Sequence, residues 1–453
     1  MIKEISVNGF RTLSDFKFEL QPGLNLLVGP NGGGKTTMLM FFSFLNDIFT
    51  TDLSNALSNV GGAGRIFRKI GKDDFERTIK AEIVGAASLE EQDFMRSSKA
   101  DLKDFGANLY YKYSFSIQLA NDREDVFFAS QELLLKRTRS EVKTPSKIKN
   151  WDVKIRIEVD PDGKQLNEWK YLSGNASKKL RPEHLMFDDK TPEKLLDDMI
   201  GDNHCLLHIT RFFGGDLRAV FLQDFGRRAL YNPQPDLIRK PEDSAKSPGI
   251  RPDGSGLYAT LLALKRKKKV NPRIAARKRL PSDVPFMRYI PLQRIVEFFR
   301  FAFPQLYSIE IANDPFDNQI RARVTLDSKE GPQLPLAALS DGTLKWMSLA
   351  TALLTTRHVT GIEEPENFIH PTVQQQAIEL IRDNTNKNGF VLVSSHSQSI
   401  LDAARPDEIV IVTLKDSRTI ARRIKDPNKI QKLIYDSGFN LSFYYMSGAL
   451  QDA

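Results

Sequence analysis

Gly29-Pro30-Asn31-Gly32-Gly33-Gly34-Lys35-Thr36 satisfies the pattern G-x-x-x-x-G-K-[ST] at every position. Its flanks supply the context that such a loop requires. Leu24-Asn25-Leu26-Leu27-Val28 precedes it as a strand, and Met38, Leu39, Phe41, Phe42 and Leu45 follow at the spacing of a helix that buries one face. Strand, glycine-rich loop and helix together make a phosphate-binding unit. The glycines let successive backbone N–H groups turn inward around a triphosphate, and the helix N-terminus adds positive potential. Lys35 bridges the outer phosphates and Thr36 offers a hydroxyl to magnesium.

Around this unit the apolar residues recur with two periods. Ile5 and Val7, then Phe16, Phe18 and Leu20, alternate as half-buried strands do. Tyr111 to Leu119, Val126 to Leu135 and Trp151 to Val159 alternate likewise, with Pro161-Asp162-Gly163 as a turn, and predict an antiparallel sheet. From about Lys164 to Phe301 the alternation fades and short helical patterns replace it, as at Thr191-Pro192 before Leu195, Leu196 and Met199. Asn232 to Gly256 carries Pro233, Pro235, Pro241, Pro248 and Pro252 and reads as a loop. Past Pro304 strands return at Ile309, Ile311 and at Ile320 to Leu326, followed by a helix at Leu344 to Leu354 and a strand at Phe390 to Ser394. Val359-Thr360-Gly361-Ile362 reads as a poor buried strand. The pattern predicts an α/β fold, with a phosphate-loop core sheet, an antiparallel β lobe and a helical insertion. Its divisions are 1–165, 166–300 and 301–453.

The chain of 453 residues is 41% hydrophobic and 27% charged, which fits a soluble globular protein of two or three units. Its longest apolar stretch, Met38 to Leu45, is broken by Ser43 and falls far short of the roughly 20 residues that cross a bilayer, so no membrane is expected. Met1-Ile2-Lys3-Glu4-Ile5 lacks the pattern of a secretory signal, and the single cysteine, Cys205, cannot form an internal disulfide. The expected compartment is the cytoplasm. His204, Cys205 and His208 are too few for a zinc site and read as structural. The net charge of +8 is local: Lys265, Arg266, Lys267, Lys268, Lys269, Arg273, Arg277, Lys278 and Arg279 account for all of it.

Three further motifs follow in a telling order. Leu339-Ser340-Asp341-Gly342-Thr343 opens a helix with a serine-glycine turn. Ile362-Glu363-Glu364-Pro365-Glu366 ends an apolar segment, and Leu392-Val393-Ser394-Ser395-His396-Ser397 ends the next strand. Adjacent carboxylates diverge, so one can hold magnesium through water while the other faces the γ-phosphate and polarises the attacking water. A histidine at the end of the next strand can reach the same phosphate.

The series GPNGGGKT, LSDGT, IEEPE and SSHS resembles the ATPase head of the ABC superfamily, in the branch that includes the RecF, SMC and OLD-type ATPases. Ile5-Ser6-Val7-Asn8-Gly9-Phe10-Arg11 is similar to the first strand of that branch, and Glu364-Pro365-Glu366-Asn367-Phe368-Ile369-His370-Pro371 is closest to the OLD-like and RecF-like form. The resemblance implies a fold of ABC-head type with ATP and Mg2+ as cofactors. It places Gly29, Asn31, Gly32, Gly33, Gly34, Lys35, Thr36 and Thr37 on the nucleotide, and Thr36 and Glu363 on the metal. Glu364 takes the place of general base and His396 that of switch histidine. Ser340 and Gly342 would contact the γ-phosphate bound to a second copy, because a helix start presents its N–H groups away from its own phosphate loop. A homodimer or higher homo-oligomer held by ATP follows, and His370 would order the dimer contact near the base. Glu363 replaces the commoner aspartate. Asp341 stands where a neutral residue is common, and is expected to point away from phosphate or to cap the helix.

Within that superfamily the span from Lys35 to Ser340 is too long for a transporter subunit and holds no heptad run of SMC type. Ser397 to Ala453 is too short for the TOPRIM domain of an OLD nuclease. Two classes remain. One is the ATPase subunit of an anti-phage or abortive-infection system, paired with a separately encoded effector such as a nuclease. The other is a RecF-like repair ATPase that clamps DNA through Lys265–Arg279. The aromatic tail from Phe439 to Met446 docks on its own domain or forms a partner contact.

Overall fold

The strand that leads into the glycine-rich loop finds its neighbours far along the chain. The computed structural model describes residues 1–72, 74–89, 107–120, 125–139, 151–159, 165–173, 203–212, 215–226, 229–267, 290–314, 316–356, 359–385 and 389–450. β1 (Ile2–Asn8) and β2 (Phe16–Glu19) precede β3 (Gly23–Val28), and the loop then opens α1 (Lys35–Thr50). β4 (Thr78–Leu89), β5 (Ala107–Leu119), β6 (Val126–Arg139), β7 (Trp151–Val159) and β8 (Gln165–Ser173) follow. Next come β9 (Ala229–Tyr231), β10 (Glu242–Asp243), α2 (Leu257–Lys267), α3 (Leu292–Phe299), β11 (Leu306–Asn313), β12 (Gln319–Leu326) and β13 (Gln333–Pro335). α4 (Asp341–Thr355), β14 (Val359–Glu363), α5 (Pro371–Asn384), β15 (Phe390–Ser394), β16 (Ile409–Lys415), β17 (Arg418–Arg423), α6 (Pro427–Ser437) and α7 (Leu441–Met446) come after these, and further helices at Leu53–Asn59, Gly215–Asp224, Pro235–Ile238 and Gln398–Ala403 lie among them.

The chain forms two compact units. The first comprises Met1–Pro22, Asn31–Arg228 and Val412–Arg422. Its seven-stranded antiparallel sheet has the order β2-β1-β4-β5-β6-β7-β8. Period-two alternation sends one side of each strand inward, and register lines those residues up: Ile83, Tyr113, Leu133 and Ile155 face one another across four strands, all fully buried. Phe10 packs on Phe41 and Phe44 of α1, with ring centroids 5.3 and 5.6 Å apart. Phe49 continues the aromatic core to Phe225, and Tyr111 meets Phe221. Cys205 and His208 belong to this packing. The thiol lies 3.2 Å from the Tyr113 hydroxyl, and His208 Nε2 is 2.9 Å from the Phe49 carbonyl.

The second unit comprises Gly23–Pro30, Ala229–Ile411 and Arg423–Ala453. The six-stranded sheet has the order β17-β16-β3-β15-β14-β9. From β16 to β9 the pairings are parallel, and the apolar runs are buried on both faces, as parallel strands require. A smaller antiparallel sheet, β10-β12-β11 with β13 beside β12, carries α2 and α3 into the same core around Trp346, whose indole N–H donates to the Phe298 carbonyl at 2.7 Å.

The antiparallel sheet expected at residues 111–159 is present as β5, β6 and β7. Three readings differ from the structure. Val359 to Ile362 is a well-paired strand: β14 has a parallel ladder on each side, and Ile362 is fully buried. Gly361 weakens intrinsic propensity, but two neighbours supply what it lacks. Residues 165–173, read as the start of helical patterning, form edge strand β8, and the proline-rich Asn232 to Gly256 contains a short helix and β10. The turn at Pro161-Asp162-Gly163, the helix at Thr191 to Met199 and the cations from Lys268 to Arg279 lie outside the described residues. Among the described residues no helix is long and apolar enough to cross a membrane. The tail docks through buried Leu441 and Leu450, and the Ser442 N–H donates to Asp402 at 2.9 Å, while Phe439 and Phe443 stack at 4.2 Å on the exposed side.

Candidate functional site

β3 ends at Val28 and α1 begins at Lys35 with Gly34 as its N-cap, at φ +105. Two constraints demand glycine there. The left-handed backbone disfavours any side chain, and an added Cβ would sit 2.0 Å from the Thr419 hydroxyl. Thr419 is itself held by Thr12, hydroxyl to hydroxyl at 2.7 Å and N–H to carbonyl at 2.8 Å. Gly34 offers no side chain to cap α1, and no acidic residue lies in the first turn, so the helix start retains its positive potential. Lys35, Thr37 and Gly33 are buried, whereas Asn31, Gly32 and Thr36 are exposed. This donor set fits a polyphosphate.

Glu363 and Glu364 occupy the carboxyl end of β14. Register joins that end to the loop: Glu363 pairs with Ser394 on β15, and Ser394 with Leu27 on β3, two residues before Gly29. At strand spacing this sets Glu363 about 10 Å from Leu27. Ligands of open parallel sheets bind beyond these ends.

Glu364 has φ +43, in the left-handed region. Its backbone is pinned at both sides: its N–H donates to the Ser394 carbonyl at 3.0 Å, and its carbonyl accepts from Lys345 Nζ at 2.9 Å. The carboxylate accepts from Asn367 Nδ2 at 2.9 Å and lies 3.7 Å from His396 Nε2, both side chains being about one-third exposed, 38% and 36%. Glu363 accepts from Asn232 Nδ2 at 3.2 Å. Glu366 turns the other way and holds the histidine loop, accepting from the Ser395 hydroxyl at 2.9 Å and the His396 N–H at 2.6 Å. Glu366 Oε2 and Ser394 Oγ are buried with no hydrogen-bond partner among the described residues, as polar atoms beside a water or ion site are. Burial pulls the Lys345 ammonium below its usual range, against Glu366, then Glu364 and Glu363, which favour its charge.

Ser340 caps α4, its hydroxyl accepting from the Thr343 N–H at 3.3 Å. A Cβ on Gly342 would lie 2.0 Å from the Phe368 carbonyl, so this helix start rests directly on the turn after the glutamates. Asp341 neither caps the helix nor stays unpaired. It meets Arg239 at 2.5 Å, and the same guanidinium donates to the Leu339 carbonyl at 3.0 Å and the Ala337 carbonyl at 3.2 Å. His370 is the N-cap of α5, with Nδ1 accepting from the Thr372 N–H at 3.4 Å.

The second unit thus brings Glu363, Glu364, His396, Ser340 and Gly342 into one connected arrangement. Sequence reading missed Asn232, Arg239, Lys345 and Glu366 as its supports. Lys345 carried a signal: one cation among Leu344, Trp346, Met347 and Leu349, on a helix whose described positions from Thr343 to Thr355 are all buried.

A parallel sheet with a phosphate loop after one strand, paired glutamates and a histidine after its neighbours, and a serine-capped helix resting on the glutamate turn defines an ATPase head of ABC type. The chain belongs to the family described as "AAA domain, putative AbiEii toxin, Type IV TA system", which matches residues 24–402. No curated protein matches it. Among solved structures, the chain is similar to an SMC head bound to the C-winged helix domain of ScpA, at 12% identity over 94% of this chain and 98% of that one, with a TM-score of 0.47. The Pyrococcus furiosus SMC head with an extended coiled coil, bound to the C-terminal domain of ScpA, gives 12% identity, coverage of 96% and 99%, and a TM-score of 0.45. The Thermotoga maritima SMC head gives 10% identity, 94% and 99%, and 0.36.

Proposed function

We propose that this ATPase hydrolyses ATP slowly with Mg2+ at two composite sites in a head-to-head homodimer, and through that cycle controls a separately encoded effector in anti-phage defence. The observation that carries the hydrolytic reading is Glu364. Its carboxylate is held by Asn367 beside His396, on a backbone clamped by Ser394 and Lys345.

Lys35 and the loop amides bind the β- and γ-phosphates, and Gly29, Asn31, Gly32, Gly33, Gly34 and Thr37 shape that cradle. Glu364 takes a proton from water as the water oxygen attacks the γ-phosphorus. The bond from that phosphorus to the bridging oxygen breaks, and ADP and phosphate leave. His396 donates to the γ-phosphate and fixes its orientation. Thr36 and Glu363 would hold Mg2+, which when bound neutralises phosphate charge. Ser340 and Gly342 complete the site of the other copy, and His370 supports the turn at that contact. The family's description as a component of a type IV toxin–antitoxin system supports the defence reading over DNA repair.

Glu364→Gln is the test. It is expected to retain ATP, lose turnover and accumulate as a dimer in sedimentation with ATP and magnesium. Unchanged turnover would move the base elsewhere, and a monomer at saturating ATP would end the composite-site reading.

A further inference from the structure

α4 begins at the serine-glycine turn and, one turn in, sends a lysine to the backbone of the glutamate pair. Lys345 is 1% exposed, in a turn of α4 whose neighbouring residues Leu344, Trp346 and Met347 are all fully buried. A buried ammonium is costly unless its neighbourhood compensates. Here the Glu364 carbonyl accepts its proton at 2.9 Å, and Glu366, Glu364 and Glu363 surround it with negative charge. Hydrophobic packing alone would favour leucine or methionine at this position.

The bond falls on a strained residue. Glu364 is held at φ +43, a conformation that a non-glycine residue keeps only when its surroundings over-determine it. Three hydrogen bonds to its backbone do so, one of them the local turn bond from the Asn367 N–H to the Glu364 carbonyl at 3.2 Å. The Ser394 carbonyl takes the Glu364 N–H from the sheet side, and Lys345 takes the Glu364 carbonyl from the helix side. The same helix also rests on this turn through Gly342 and Phe368.

We infer that Lys345 is a positioning residue for Glu364, fastening the serine-glycine helix to the backbone that aims the general base. This rests on the assignment of Glu364 as base. Because α4 carries Ser340 and Gly342, a displacement of its first turn on engaging nucleotide is transmitted through Lys345 to the carboxylate. Lys345 touches no reacting atom in this account; it acts through Glu364.

The experiment is a double-mutant cycle on the full chain with ATP and magnesium. Lys345→Met keeps length and apolar stem but removes donor and charge. It is expected to lower kcat by about a hundredfold, the usual cost of misplacing a catalytic group by about 1 Å, with KM for ATP unchanged within about twofold. Lys345→Arg, which retains donor and charge, should recover part of kcat. In the Glu364→Gln background Lys345→Met should add little further loss, since both act through one group. Equal, additive losses in the two backgrounds, or no recovery of kcat in Lys345→Arg, would overturn the inference while leaving the base assignment intact. Unchanged turnover in Glu364→Gln alone would instead remove the base assignment. If Lys345→Met fails to fold, the same cycle with Lys345→Gln gives the same decision.

Discussion

Glu364 holds a strained backbone in order to point a carboxylate. A left-handed non-glycine residue costs about 1–3 kcal/mol, and here the sheet, the lysine and the asparagine offset that cost at one turn. Lys35 faces a simpler demand. Its burial in the first turn of α1 makes it part of the loop, and Lys35→Ala should abolish ATP binding in calorimetry while circular dichroism and melting stay near those of the parent. Tight ATP binding by that variant would contradict the phosphate-loop assignment. Gly342 is constrained by close packing and not by φ. Gly342→Ala forces a methyl against the Phe368 carbonyl, and is expected to lower stability by about 1–3 kcal/mol and depress turnover, with nucleotide binding at the phosphate loop retained. Full activity in Gly342→Ala would show that the two turns can separate freely.

α4 joins site and core. Trp346 is fully buried among α3 and the apolar cluster and donates to the Phe298 carbonyl, so Trp346→Ala should cost about 3–5 kcal/mol in denaturant unfolding. A loss under about 1 kcal/mol would mean that the cluster collapses around the gap. This helix also marks how far sequence reading carries. Its start at Ser340 was legible, because a cap residue before an apolar run is a local signal, and so were β3, the loop and the alternating β5, β6 and β7. The partners Asn232 and Arg239 were not, since both follow β9, a three-residue strand too short to show a period. The glutamate strand was undervalued because its stability comes from β15 and β9, and pairing partners leave no trace in a strand's own residues. Asp341 looked like a liability for phosphate binding until Arg239, about a hundred positions earlier, supplied its countercharge.

Over the molecule as a whole, charge and chain order have consequences that no single motif has. Lys265, the first of the basic run, donates to the Ile311 carbonyl at 2.6 Å and so serves the second unit's own packing. The DNA-clamp alternative therefore rests on Arg266 through Arg279. Replacing those cations with glutamine should flatten the salt dependence of DNA binding, the logarithmic slope falling by about 0.9 for each phosphate that is no longer neutralised. If the parent protein does not bind duplex DNA at low salt, that alternative fails and the effector-controlling one gains. Chain order bears on biosynthesis. In the first unit Thr419 closes over Gly34, and in the second β3 lies beside β15, so each unit packs an early segment on one from late in the chain. A nascent polypeptide leaving the ribosome has translated β3 and Gly34 long before it owns their partners, and neither packing is complete until those late segments have emerged.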